Sequence, residues 1–145
     1  MAKLRHVGIT VTDMEKSLEL YRDYFGFDVT WDQVELGPFI DSLSDLKEVQ
    51  VRTVKMRDAS GGMIELLQYL SHPKDNIENF GDKITKIGCS HLALTVGDAE
   101  KAYLDLVDLG LKFNCAPLLS VDGAAKVCFC RDFDGTLMEI VEEVK

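Results

Sequence analysis

Two histidines and two glutamates recur at matched places along this chain. His6 opens the phrase "HVGITVTDMEK" (6–16) and His91 opens "HLALTVGDAEK" (91–101), with six of eleven positions identical at an offset of 85. Glu65 and Glu139 close a second pair of phrases, "RDASGGMIELL" from Arg57 and "RDFDGTLMEIV" from Arg131, at an offset of 74. The chain has three histidines in all, and the repeat uses two of them. A carboxylate set among the apolar residues of "MIELL" or "LMEIV" is costly to bury without a counter-charge. A divalent cation with two carboxylates sums to zero and removes that cost. Pseudo-twofold symmetry between the copies would collect His6, Glu65, His91 and Glu139 into one ligand set. Mixed imidazole and carboxylate donors suit Zn, Ni, Co, Fe or Mn, with positions left for water or substrate oxygens. The alternative is structural: each histidine hydrogen-bonds in the core, and each glutamate pairs with a cation at a strand edge.

These residues need strands to present them. In "HVGITV" and "HLALTV" the apolar residues alternate with His6, Gly8 and Thr10, or with His91, Ala93 and Thr95, so each imidazole shares a strand face with small residues. A helix follows in each copy. Thr12 with Glu15 makes a capping-box pattern, Met14, Leu18, Tyr21 and Phe25 form an apolar stripe, and Gly26 supplies the stop. Ala99, Ala102, Tyr103 and Leu106 repeat the stripe before Gly110. Three strands are then expected in each half, at 27–35, 49–57 and 62–70, and at 111–116, 124–131 and 136–143. Gly61-Gly62 and Asp134-Gly135 mark hairpin turns before the last strand of each half.

The expectation is therefore βαβββ twice: module one over 1–70, a surface linker over 71–88 with one helical turn, and module two over 89–145. The fall in offset assigns about 11 extra residues to the first copy, placed in "WDQVELGPFIDSLSDLKEV" (31–49). Within it Phe39, Ile40, Leu43 and Leu46 have helical spacing, and segment 37–49 is expected to cover the mouth of the site.

Composition narrows the function. A formal net charge of -9 repels polyanions, which argues against nucleic acid and anionic membranes as partners. No apolar run is long enough to span a bilayer, and "MAKLRHVGITV" enters a strand pattern directly, so the chain is read as cytoplasmic. The four cysteines, Cys89, Cys115, Cys128 and Cys130, lack the spacing of a thiolate metal site and are read as reduced structural thiols.

The paired modules, "HVGITVTDMEKSLELYRDYFGF" near the start and "DFDGTLMEIVE" near the end resemble the vicinal oxygen chelate superfamily. That superfamily includes glyoxalase I, methylmalonyl-CoA epimerase, extradiol dioxygenases and the bleomycin and fosfomycin resistance proteins. The resemblance implies an α+β fold in which two tandem βαβββ modules form an eight-stranded open barrel around a metal site. It places the ligands at His6, Glu65, His91 and Glu139. It implies a divalent-metal-dependent lyase or isomerase that removes a proton beside a carbonyl through a metal-bound enediolate, with Glu139, then Glu65, as the catalytic base. The ligand order His, Glu, His, Glu is similar to bacterial glyoxalase I, a lactoylglutathione lyase. The linker "SHPKDNIENFGDKITKIGCSHLAL" is closer to the methylmalonyl-CoA epimerase pattern, which stands as the alternative. A metal-free binding module of the bleomycin-resistance kind, and an extradiol dioxygenase, are the remaining readings. The expected partners are a small-molecule substrate, such as a glutathione or CoA adduct, and a second copy in a homodimer.

Overall fold

The computed structural model describes residues 1–72, 84–85 and 87–144. The chain divides into two compact units, Met1–Asp75 and Asn76–Lys145. Most of the expected linker, with its helical turn, lies outside the described residues.

In the first unit, β1 (Val7–Thr10) leads into α1 (Met14–Leu18), a π-helical turn (Glu19–Tyr24), β2 (Asp28–Leu36), α2 (Pro38–Ser44), β3 (Gln50–Arg57) and β4 (Met63–Tyr69). The sheet order is β1-β4-β3-β2; β1 runs parallel to β4 and the other pairs are antiparallel. The second unit repeats the plan with β5 (Leu92–Thr95), α3 (Ala99–Asp108), β6 (Lys112–Phe113), β7 (Leu118–Leu119), β8 (Ala125–Arg131) and β9 (Leu137–Glu143). Its order is β5-β9-β8-β6, with β7 also on β8. The result is a mixed α+β fold of two open sheets. Neither sheet closes on itself, and the described strands number nine where eight were expected, because the short β7 adds a second partner for β8.

Each sheet is covered on one face by its helix. Ile9, Val11, Val54, Met56, Ile64 and Leu66 are buried, as are Met14, Leu18, Leu20 and Tyr21 of the helical segment, and α1 packs on β4. In the second unit Cys128, Cys130, Met138 and Ile140 are buried together with Ala99, Ala102 and Leu106 of α3, which packs on β8 and β9. Burying side chains of this size contributes about 1.5–3 kcal/mol each. The thiols of Cys128 and Cys130 are pushed up to about 11 and about 12, chiefly by desolvation. These two are buried in the core, whereas Cys89 and Cys115, also expected to be structural thiols, are exposed.

Two helix details depart from expectation. The N-cap of α1 is Asp13, whose Oδ1 accepts from the Lys16 amide at 3.1 Å, and Asp98 does the same for Lys101 at 2.8 Å. The aspartate is the residue both copies share, whereas Thr12 corresponds to Gly97, which has no hydroxyl to offer. The stripe also changes after Leu18, where Leu20 and Tyr21 are buried side by side and Phe25 is only half-buried. The cause is one residue of sequence: from cap to terminal glycine, Asp13 to Gly26 is one position longer than Asp98 to Gly110. A π turn absorbs such an insertion by widening one loop of the helix, and the Phe25 amide bonds Leu20 O at 3.0 Å, five residues back. One of the extra residues of the first copy is therefore in the helix, and the others fall in a longer β2 and in α2.

Candidate metal centre

The register of the two sheets shows how each histidine meets its glutamate. Along β1 and β4, Gly8 stands opposite Glu65; along β5 and β9, Ala93 stands opposite Glu139. In both units the histidine comes two residues before that small residue, just ahead of the strand, so the repeat is carried over to the residue. His6 Nε2 lies 3.7 Å from Glu65 Oε1, and His91 Nε2 lies 3.2 Å from Glu139 Oε2. The glutamate side chains are 14% and 24% exposed, and each alternates along its strand with buried neighbours, Ile64 and Leu66 or Met138 and Ile140.

Each His–Glu pair, taken by itself, has a spacing that one divalent ion could bridge. Two ligands of one ion, each about 2.0–2.2 Å from it, stand about 2.8–3.6 Å apart at octahedral or tetrahedral angles. The His91–Glu139 separation falls inside that range and the His6–Glu65 separation just beyond it. Both distances are at or past the upper end for an N–H···O hydrogen bond. Ser90 Oγ lies 2.7 Å from His91 Nδ1, which suits a ring that donates from Nδ1 and turns the Nε2 lone pair toward Glu139. A third carboxylate group, Asp98, Glu100 and Glu142, is accounted for without a metal. Lys126 Nζ sits 2.9 Å from Glu100 and 3.9 Å from Glu142, whose other task is to accept from the Ala99 amide.

The units differ across the next strand pair. Lys55 on β3 stands opposite Glu65, with Nζ 3.9 Å from Oε2, and Phe129 on β8 stands opposite Glu139. The Phe129 ring packs edge-on to His91 with centroids 5.3 Å apart. Lys55 Nζ also sits 4.5 Å above the Trp31 ring. The adjacency of Lys55 to Glu65 is set by the register of β3 on β4. Phe39, in the segment expected to cover the mouth of the site, is 75% exposed on α2, none of whose residues is buried.

Comparison with known proteins agrees with this plan. Residues 3–140 match the family described as Glyoxalase/Bleomycin resistance protein/Dioxygenase superfamily. The mitochondrial methylmalonyl-CoA epimerase of Dictyostelium discoideum is 30% identical, over 99% of this chain and 80% of the relative. Among solved structures, a glyoxalase family protein from Bacillus cereus superposes with a TM-score of 0.90 at 18% identity, covering 100% of this chain and 96% of the other. A fosfomycin resistance protein from Listeria monocytogenes, solved with Mn(II) and sulfate, has a TM-score of 0.62 at 15% identity, over 99% and 94% of the two chains. Among the described residues, no helix is long and apolar enough to cross a membrane.

Proposed function

Because this chain belongs to the Glyoxalase/Bleomycin resistance protein/Dioxygenase superfamily, we propose that it is a divalent-metal-dependent isomerase that moves a proton on the carbon beside a carbonyl, with an acyl-CoA thioester as substrate. The observation that carries this reading is the pair of His–Glu contacts, set in the same register in both halves of the repeat. In this reading His6, Glu65, His91 and Glu139 hold one ion, and the two units work as one domain. Bound there, a divalent ion would supply positive charge to offset charge developing on substrate oxygen.

The chain's own residues do the rest. Ser90 fixes the ring orientation of His91. Glu139 is the first choice of base, since it faces one imidazole and an apolar ring, whereas Glu65 is held between His6 and Lys55. Its carboxylate accepts the proton from carbon and returns it, so no atom is gained or lost overall. Glu65 is the second choice. The thioester assignment rests on the epimerase relative. The second reading, a glyoxalase I-like lyase acting on a glutathione hemithioacetal, is favoured by the carboxylate rather than an amide at position 65.

Both readings are tested by loading the protein with Zn, Ni, Co, Fe or Mn in turn. Deuterium uptake from D2O into methylmalonyl-CoA is followed by mass spectrometry, and hemithioacetal conversion by absorbance. Metal-dependent exchange above the uncatalysed rate, abolished in Glu139→Gln, is expected with the thioester. Turnover of the hemithioacetal alone would select the second reading, and inertness toward both would leave a binding module.

A further inference from the structure

We infer that Lys55 is a substrate-positioning residue that holds an anionic group, a carboxylate carried by the acyl part of the thioester. The inference deepens the function proposed above and rests on it.

The first observation is the effort the sheet makes to place this lysine. The pairing of β2 with β3 shifts by one between Val29 and Trp31, leaving Thr30 as the extra residue of a bulge. Without it, Thr30 would stand opposite Lys55, and Trp31 would turn to the other face of the sheet, because side chains alternate with period two. With it, Trp31 stands opposite Lys55 and lies under its ammonium group, and Thr30 Oγ1 donates to Lys55 O at 3.2 Å. A cation held over an indole ring is oriented before any ligand arrives, so less rotamer freedom is lost on binding.

The second observation is charge. Arg52 is engaged by Asp32 and Glu15, and Lys126 by Glu100 and Glu142. The carboxylate facing Lys55 is Glu65, which the proposed function assigns to the metal. A divalent ion and two glutamates sum to zero, so Lys55 leaves one positive charge at the loaded face. Its side chain is 34% exposed, open to a ligand from solvent. Phe129, at the matching place in the second unit, brings no charge. The repeat is thus symmetric in its His–Glu pairs and asymmetric in what stands beside them, a cation in one copy and an aromatic ring in the other.

The test uses direct binding to the metal-loaded full chain. Methylmalonyl-CoA and isobutyryl-CoA differ by a carboxylate in place of a methyl group, and the dissociation constant of each is measured by calorimetry for wild type, Lys55→Met and Lys55→Arg. Wild type is expected to prefer the carboxylated ester. Lys55→Met should erase about tenfold to a hundredfold of that preference, the worth of a charge-assisted hydrogen bond, with isobutyryl-CoA affinity and metal content unchanged. Lys55→Arg should keep most of it. A purely structural role would weaken both esters together. An unchanged ratio in Lys55→Met, or a wild type that binds neither ester, overturns the inference. Failure of the proposed function shows separately, as absent proton exchange in a protein whose binding ratio still depends on Lys55.

Discussion

The turn before β4 sets the register that brings Lys55 opposite Glu65, and Gly62→Ala probes it. A Cβ at position 62 would lie 2.5 Å from Asp58 Oδ2, so one of the two must move. Gly62 is not held at positive φ, so the conflict is one of space alone. Asp58 is not free to yield, since its Oδ1 accepts from the Ser60 amide, the Ser60 hydroxyl and the Gly62 amide, each at 2.8 Å. These bonds hold its carboxyl below the usual carboxylate range, the Ser60 hydroxyl contributing most. Swinging the side chain away forfeits part of an exposed hydrogen-bond set, about 1.5–2.5 kcal/mol. Replacing glycine with alanine returns about 0.4–1 kcal/mol through the unfolded chain, for a net loss of about 1 kcal/mol. Urea denaturation should show that loss in the native background. In an Asp58→Ala background the clash is gone, and the same substitution should be neutral or stabilising. An equal cost in both backgrounds, or no cost in the first, would refute the argument.

Removing either helix cap, by Asp13→Ala or Asp98→Ala, should cost about 1 kcal/mol in urea denaturation, since each aspartate accepts from an amide in the first turn. Arg52 donates to Asp32 and lowers its pKa. A depressed folded pKa gives stability that is full above the unfolded value and disappears as pH falls through the folded one, so the difference in melting temperature between wild type and Arg52→Met should shrink from about pH 5 to about pH 2. An aromatic disulfide reagent at neutral pH should titrate the exposed Cys89 and Cys115 quickly, and Cys128 and Cys130 only on unfolding.

The repeat made much of the fold legible. A histidine and a glutamate at fixed offsets in two copies imply equivalent strands, and Gly8–Glu65 and Ala93–Glu139 are paired in the same way. Expected strand limits such as 27–35 and 49–57 fall within a residue of β2 and β3. Features that depend on a single inserted residue were harder to read. The π turn left one trace, the spacing from Asp13 to Gly26 against Asp98 to Gly110. The bulge at Thr30 left none, because β2 is largely exposed and its alternation gives no apolar face to reveal a slip. The meeting of Lys55, Trp31 and Glu65 depends on that slip. In α2, Phe39 and Leu43 keep helical spacing yet remain exposed, so periodicity identified the helix without telling what it covers.

Metal stoichiometry tests the central claim most directly. Untagged protein purified without chelator, then loaded and desalted, is analysed for metal as wild type, His6→Ala and His91→Ala. If one ion is shared by His6, Glu65, His91 and Glu139, wild type holds about one per chain, and either substitution, in either half of the repeat, removes it. No ion in wild type, or full retention in one of the two variants, would contradict the account.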